Sequence, residues 1–447
     1  MTELSEAQTL AGDLIARAEK AGADAADAVI FNSTALDVRA RLGELEDLER
    51  SESFDLGLRV FVGQRQANIS TTDTDDAALD DLVARAIAMA RVAPPDEFAG
   101  LADAAELAHD IPDLDLEEPG EPEPATLIDQ ALACEDAARS ADGITNSEGA
   151  EVGWHHSTAV MAATNGFAGG YIATQTAISA SVIAGEGLGM ERGYHFSAAR
   201  FTEDLDPPDE VGREAARRAL SHLGGTKMPT KPVPIVFEPR MANSILGHLT
   251  SAITGPSIAR GTSFLVDRMG DAIFDSSINI VEDPHVRRGL RSRPFDGEGV
   301  ACQKRHLIKD GRLTTWLLDC RSARQLHLTT TGHASRGTSG PPSPGASNVT
   351  MQPGEQTPED LMADIKDGLY VTGLIGFGVN QVTGDYSRGA SGFRIVDGEL
   401  AGPITEVTIA GNLIDMFANL TPANDLEIRH GFDAPTLRIE GMTVGGE

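Results

Sequence analysis

The sequence predicts an α+β fold of two domains. Helical and period-two apolar patterns alternate through the first half, and a proline-rich joint interrupts the chain near residue 229. A glycine-rich second half carries two Asp-Gly turns. An N-terminal domain of antiparallel sheet with helices is expected over 1–228, and a β-rich C-terminal domain over 229–447.

The elements follow in order. Leu10, Leu14 and Ala18 recur at helical spacing, so 4–21 is expected to be an amphipathic helix. Ser5 with Gln8 offers a capping box, and Gly22 a C-terminal stop. A short apolar strand fits 28–31. Between 34 and 71 the period changes to two, through Leu36, Val38 and Ala40 and then Leu56, Leu58, Val60 and Val62, as in an antiparallel meander. Leu79, Leu82, Val83, Ala86 and Ala90 line one face of a helix over 77–91. Residues 93–125, rich in Pro, Asp and Glu, read as an acidic surface loop with little core of its own. A helix over 126–140, strands over 151–164 and 171–184, and a helix over 208–222 complete this half.

Pro229, Pro232 and Pro234 mark the joint, because proline continues neither a helix nor a central strand. Beyond it come a strand at 234–238, a helix at about 240–253 and a hairpin turning on Asp310-Gly311. A Gly/Ser/Pro-rich loop spans 331–349. Thr357-Pro358-Glu359-Asp360 opens a helix, 369–410 is β-rich with a turn at Asp397-Gly398, and a helix over 411–418 precedes a final strand.

Composition narrows the function. The net charge is −32, and residues 1–225 carry 43 acids against 15 bases, a balance of −28. Such a surface repels a phosphate backbone, so nucleic acid is not an expected partner. No apolar run approaches the ~20 residues of a membrane helix. The acidic start Met1-Thr2-Glu3 lacks secretory character, and Cys134, Cys302 and Cys320 are too few for a disulfide framework. A cytoplasmic location is expected.

Common catalytic motifs are missing. The chain has no P-loop, no G-x-S-x-G elbow and no C-x-x-C pair. None of the eleven histidines is followed by Glu, so neither H-E-x-x-H nor H-E-x-x-x-H occurs. A zinc peptidase helix needs two imidazole ligands and a carboxylate to take the proton from metal-bound water. His155-His156 would point to opposite faces of a strand, and His327 and His333 flank the Gly/Ser loop. An ordinary hydrogen-bonded role suits each of them better than a ligand role.

Several stretches of the second half resemble the TldD/PmbA family. They are Arg260-Gly261-Thr262-Ser263-Phe264, Asp319-Cys320-Arg321-Ser322-Ala323-Arg324, Thr331-Gly332-His333-Ala334 and Pro344-Gly345-Ala346-Ser347-Asn348. The most specific block runs from Gly376 through Asn380 and from Val382 to Phe393, and then from Glu406 to Phe417. Gly57 to Gly63 with Ser70-Thr71 extends the likeness toward the N-terminus, and the pattern is that of the PmbA (TldE) branch.

The resemblance implies a heterodimeric metallopeptidase acting on peptides or unfolded polypeptide, including precursors of peptide antibiotics. Its TldD branch carries H-E-x-x-x-H and a late cysteine, whereas the PmbA branch is expected to lack the metal. Counting back from Gly261 places the corresponding helix at about 240–253. Leu246 and Ser251 then stand at the histidine positions and Gly247 at the glutamate, with His248 the one surviving imidazole. No cysteine follows Cys320.

This chain is therefore expected to bind no cofactor, with zinc on a TldD-type partner, and to supply interface and cleft wall. Alone it could pair with itself. Asn348, Asn380, Thr383, Asp385, Tyr386, Ser387 and Arg388 are the candidate cleft residues, with a turn network as the competing role for the 380–388 set. Two other functions stay open. One is a polypeptide-binding adaptor without activity. The other is a self-sufficient hydrolase, which would depend on His248, His333 or Asp385.

Overall fold

The period-two runs of the first half build one six-stranded antiparallel sheet in the computed structural model, which describes residues 3–446. Its helices and strands are α1 (Glu3–Lys20), β1 (Ala25–Arg41), β2 (Glu44–Val62), β3 (Arg65–Thr71), α2 (Asp76–Val92), α3 (Pro124–Arg139), β4 (Ile144–Ala163), β5 (Ala168–Ala184), β6 (Glu191–Ala199) and α4 (Pro208–Ser221). The strand order is β3-β2-β1-β4-β5-β6, so β3 and β6 are the edges.

All four helices cover one face, in two pairs. Ala26, Ala28 and Ile30 of β1 share a core with α1 and α2, through Leu14, Leu79 and Leu82. Leu36, Val38 and Ala40, on the same face farther along β1, share a second core with α3 and α4.

The short strand expected at 28–31 is thus only the start of a 17-residue strand. The polar residues 32 and 33, which separate that strand from the next expected one, lie between the two helix pairs. There Glu3 of α1 accepts from the Asn32 amide and the Thr158 hydroxyl, each at 2.8 Å, and the sheet continues beneath.

The acidic segment 93–125 is not a surface excursion. Ala102, Leu107, Ala108, Leu114 and Leu116 are buried. Leu107 bridges to Val300, the Ala108 N–H donates to the Gly299 carbonyl at 2.9 Å, and the Thr174 N–H donates to the Leu116 carbonyl at 2.9 Å. The segment is a strap between the domains. Its isolated apolar residues are widely spaced among acids and prolines, so they leave no periodic signal.

The chain enters the second domain slightly before the proline joint. Thr226 already bridges to Ile404, and Met228 lies in the C-terminal core. An eight-stranded mixed sheet is ordered Leu420–Pro422, Leu437–Ile439, Ile235–Phe237, Asp367–Ile375, Asp385–Val396, Glu399–Asn412, Thr443–Gly445, Lys231–Pro232. A smaller sheet includes Ile280–Asp283, Arg305–Lys309 and Asn348–Met351. Helix α5 (Pro239–Ala252) contributes Ala242, Ile245, Leu246 and Leu249 to the core of this domain. The two Asp-Gly turns form as expected, with positive φ at Asp310 (49°), Gly311 (73°), Asp397 (48°) and Gly398 (86°).

The domains meet across the sheet face opposite the helices. Val29, Met161 and Ala163 of that face pack with Phe167, Phe295, Val300 and Cys320. Beside them lies a buried ionic group, in which Asp27 of β1 is paired with Arg59 of β2 and with Arg336 of the C-terminal domain. Among the described residues no helix is long and apolar enough to cross a membrane.

Candidate functional site

Helix α5 and the hairpin formed by Asp367–Ile375 and Asp385–Val396 bring most of the predicted residues together. On α5, Leu246 is fully buried in the core. Gly247 has open space where a side chain would project, and Ser251 is exposed. The helix face turned away from the core therefore carries Ser244, Gly247, His248 and Ser251, at spacings of three and four. Leu246, placed at a histidine position by counting, does not share that face. A helix residue five positions from Ser251 lies about 140° away from it.

The hairpin tip divides the remaining candidates. Asn380 accepts from the Val382 N–H at 2.9 Å. Asp385 accepts from the Thr383 hydroxyl at 2.7 Å and from the Asn412 amide at 3.2 Å. These bonds, first Thr383 and then Asn412, hold the Asp385 carboxyl below the usual carboxylate range. Asn380, Thr383 and Asp385 thus form the turn network considered above, and Ser387 points to solvent on the same side as Asp385.

Tyr386 and Arg388 turn the other way, toward α5. The Tyr386 ring is 1% exposed and meets the His248 ring edge-to-face, with centroids 5.7 Å apart. Burial pushes the Tyr386 hydroxyl up to about 12, opposed by the nearby Arg388 guanidinium. Burial, and then the charge of Arg388, brings His248 down to about 4, so its imidazole is neutral at physiological pH.

Asn348 is not part of this group. It is buried on the smaller sheet, where its amide donates to the Asp283 carbonyl and the Ser292 hydroxyl at 2.8 Å, and its oxygen accepts from the Arg291 N–H at 3.1 Å. Its polar atoms are spent on fixing the 283–292 turn. His333 is equally structural. Its Nε2 lies 2.6 Å from Glu282, and its Nδ1 lies 2.7 Å from the Thr331 hydroxyl. Cys134, Cys302 and Cys320 are buried free thiols. Burial raises all three above the ordinary thiol range, Cys134 and Cys302 to about 12, which leaves them protonated and inert.

A second feature has no counterpart in the sequence reading, because β6 is missing from it. The outer edge of β6 lines a cavity of about 290 Å³ shared with the start of α5 and with residues 425–434. Arg240 stacks there over Tyr194 at 4.7 Å and Phe196 at 5.9 Å. His195 and His430 stand beside it. The alternation of Tyr194 and Phe196 after Arg192 was the available strand signal.

The α5 site does not suit a catalytic zinc. It offers one imidazole with a guanidinium nearby, and a fixed cation disfavours a second one. Among the described residues no group of three or more His, Cys, Asp or Glu side chains is placed to hold a metal ion.

A two-domain α+β protein built in this way matches one class of proteins along nearly its whole length. Family models for the PmbA/TldA metallopeptidase match at domain 1 (residues 26–90), the central domain (117–223) and the C-terminal domain (230–446). Metalloprotease PmbA of Escherichia coli O157:H7 is 39% identical over 426 residues, covering 95% of this chain and 93% of that protein.

A crystal structure of a Bacteroides thetaiotaomicron protein, described as a candidate modulator of DNA gyrase, superposes with a TM-score of 0.92 at 27% identity and covers all of both chains. TldE from Thermococcus kodakarensis shares the fold, with a TM-score of 0.84 at 21% identity over 98% of this chain and 100% of that one. The chain belongs to the PmbA/TldD metallopeptidase family, on its PmbA (TldE) side.

Proposed function

We propose that this chain is the metal-free subunit of a two-chain metallopeptidase of the PmbA/TldD type, acting on peptides or unfolded polypeptide. Zinc and the water it activates would belong to a TldD-type partner. This chain would contribute interface and one wall of the cleft. The observation that carries the reading is the residue content of this face of α5, where Ser244, Gly247, His248 and Ser251 offer a single imidazole close to Arg388. Two imidazoles and a carboxylate would be needed there.

Among the described residues the outer edge of β6 has no neighbouring strand, and it borders the cavity around Arg240. An extended peptide could add to such an edge through backbone hydrogen bonds, which favours unfolded substrates over a particular sequence. The test is to purify the chain alone and with a TldD-type chain from the same organism. Metal would be counted per chain and peptide cleavage assayed. Metal on the partner only, with cleavage only by the pair, is the expected result. Stoichiometric zinc on the isolated chain with chelator-sensitive cleavage overturns the reading.

A further inference from the structure

Tyr386, His248 and Arg388 each present a buried polar atom without a hydrogen-bond partner: the Tyr386 hydroxyl, the His248 Nε2 and the Arg388 Nε. Three orphans in one place are unusual, because buried polar groups are nearly always satisfied. Arg293 and Arg305 of this domain also carry a bare Nε, but their other guanidinium nitrogens donate to main-chain carbonyls. Arg291 donates to the Ser347 carbonyl and Arg305 to the Thr331 carbonyl, at 3.2 and 2.8 Å. Arg388 has no ion pair among the described residues, in a chain of net charge −32.

The three groups are held in register. Tyr386 and Arg388 are two residues apart on one strand and so share a face, and His248 reaches them from α5. The Tyr386 hydroxyl and the guanidinium are donors, the imidazole is one in its Nε2–H tautomer, and the guanidinium also lies close enough to donate to the Tyr386 oxygen; among the described residues no carboxylate or carbonyl accepts from the three. Such a set fits a ligand that only accepts. One permanent positive charge beside two neutral donors matches one negative charge, which suits a carboxylate better than a phosphate dianion.

We propose that Arg388, Tyr386 and His248 form a carboxylate-binding subsite in the cleft wall, filled by a carboxylate of the bound peptide. The proposal rests on the peptide-cleft reading above. The carboxylate comes either from the peptide's C-terminus or from an acidic side chain. The subsite would fix how far a peptide enters the cleft, giving this chain a positioning role.

The test is calorimetric titration of the chain with three ten-residue peptides of one neutral sequence. The first has a free C-terminus, the second a C-terminal amide, and the third the amide with one internal glutamate. At least one carboxylate peptide is expected to bind about tenfold or more tightly than the neutral amide. Which one does so identifies the source. Arg388→Gln should abolish the preference and Tyr386→Phe should reduce it. The phenylalanine keeps the buried ring, and circular dichroism verifies both folds. Equal binding of the three peptides to the unaltered chain, or a preference that survives Arg388→Gln, overturns the subsite but leaves the peptide cleft standing. Absence of binding of every peptide, to the chain alone and to its complex with a TldD-type partner, overturns both.

Discussion

Asp27 in the first strand and Arg336 in the C-terminal domain form an ion pair with side chains 0% and 1% exposed, fastening the two domains through buried charge. Burial alone would raise the Asp27 carboxyl. Arg336 and then Arg59 outweigh it and hold the group below its ordinary range. The Arg59 Nε donates to Asp27 at 2.9 Å. Removing one member of a buried pair strands the others. Asp27→Asn should therefore destabilise the fold by about 3–5 kcal/mol. Urea unfolding of the variant reads this directly, and a loss under about 1 kcal/mol would mean that water or movement compensates.

Gly57 of β2 lies against the backbone of Thr338. A side-chain carbon there would sit 2.5 Å from the Thr338 carbonyl oxygen and 2.6 Å from its Cα. Backbone cannot swing aside as a side chain can. Gly57→Ala is expected to loosen the domain junction and to cost about 1–3 kcal/mol. Limited proteolysis in the 334–340 segment should accelerate in the variant, and an unchanged cleavage rate would contradict the contact.

Asp296 gives stability a downward slope toward neutral pH. Burial and then the neighbouring Glu298 push its carboxyl from 3.8 up to about 7. The folded state keeps a proton that the unfolded chain releases. This contribution is complete below pH 3.8 and is lost as pH rises through about 7. Asp296→Asn should flatten that slope. Urea midpoints measured between pH 4 and 7.5 compare the two proteins, and parallel curves would contradict the assignment.

Glu282 acts in the opposite sense. Burial would raise its carboxyl, but the His333 hydrogen bond and charge, with the Ser347 hydroxyl and N–H, bring it down from 4.5 to about 2. Its stabilisation is full above pH 4.5 and is lost as pH falls toward 2. Glu282→Gln should lower stability at neutral pH and remove much of the acid sensitivity in that window. Acid-unfolding curves followed by near-UV circular dichroism would show whether the midpoint becomes less steeply dependent on pH.

Local chemistry was legible in the sequence wherever it acts alone. Leu79, Leu82 and Ala86 marked the face of α2, and Asp310-Gly311 and Asp397-Gly398 marked hairpin turns. Residues whose role is set by a distant neighbour were misread. Asn32 looked like the end of a strand because the glutamate that satisfies it arrives from α1. Leu107 and Leu116 looked like loop residues because the apolar surface that buries them comes from elsewhere in the chain.

At the candidate site, the sequence left Tyr386 and Arg388 in one polar set with Asp385 and Ser387, and only the strand seen in the structure divides them, with His248 across from the first pair and solvent across from the second. Asn348 was selected by resemblance, and only its bonds to Asp283 and Ser292 reveal a scaffold role.

The uninterrupted course of β1 and β4 has a mechanical consequence. At about 3.3 Å per residue, the 17 and 20 residues of these strands make a beam roughly 55–65 Å long. Both helix pairs clamp onto that beam, and one end of it carries the charged junction with the C-terminal domain. Losing either clamp would strip the apolar cover from part of the same two strands. The N-terminal half should therefore open as a single cooperative body, carrying the edge strand β6 with it, and the spacing between that edge and α5 would be set by the stiffness of the beam.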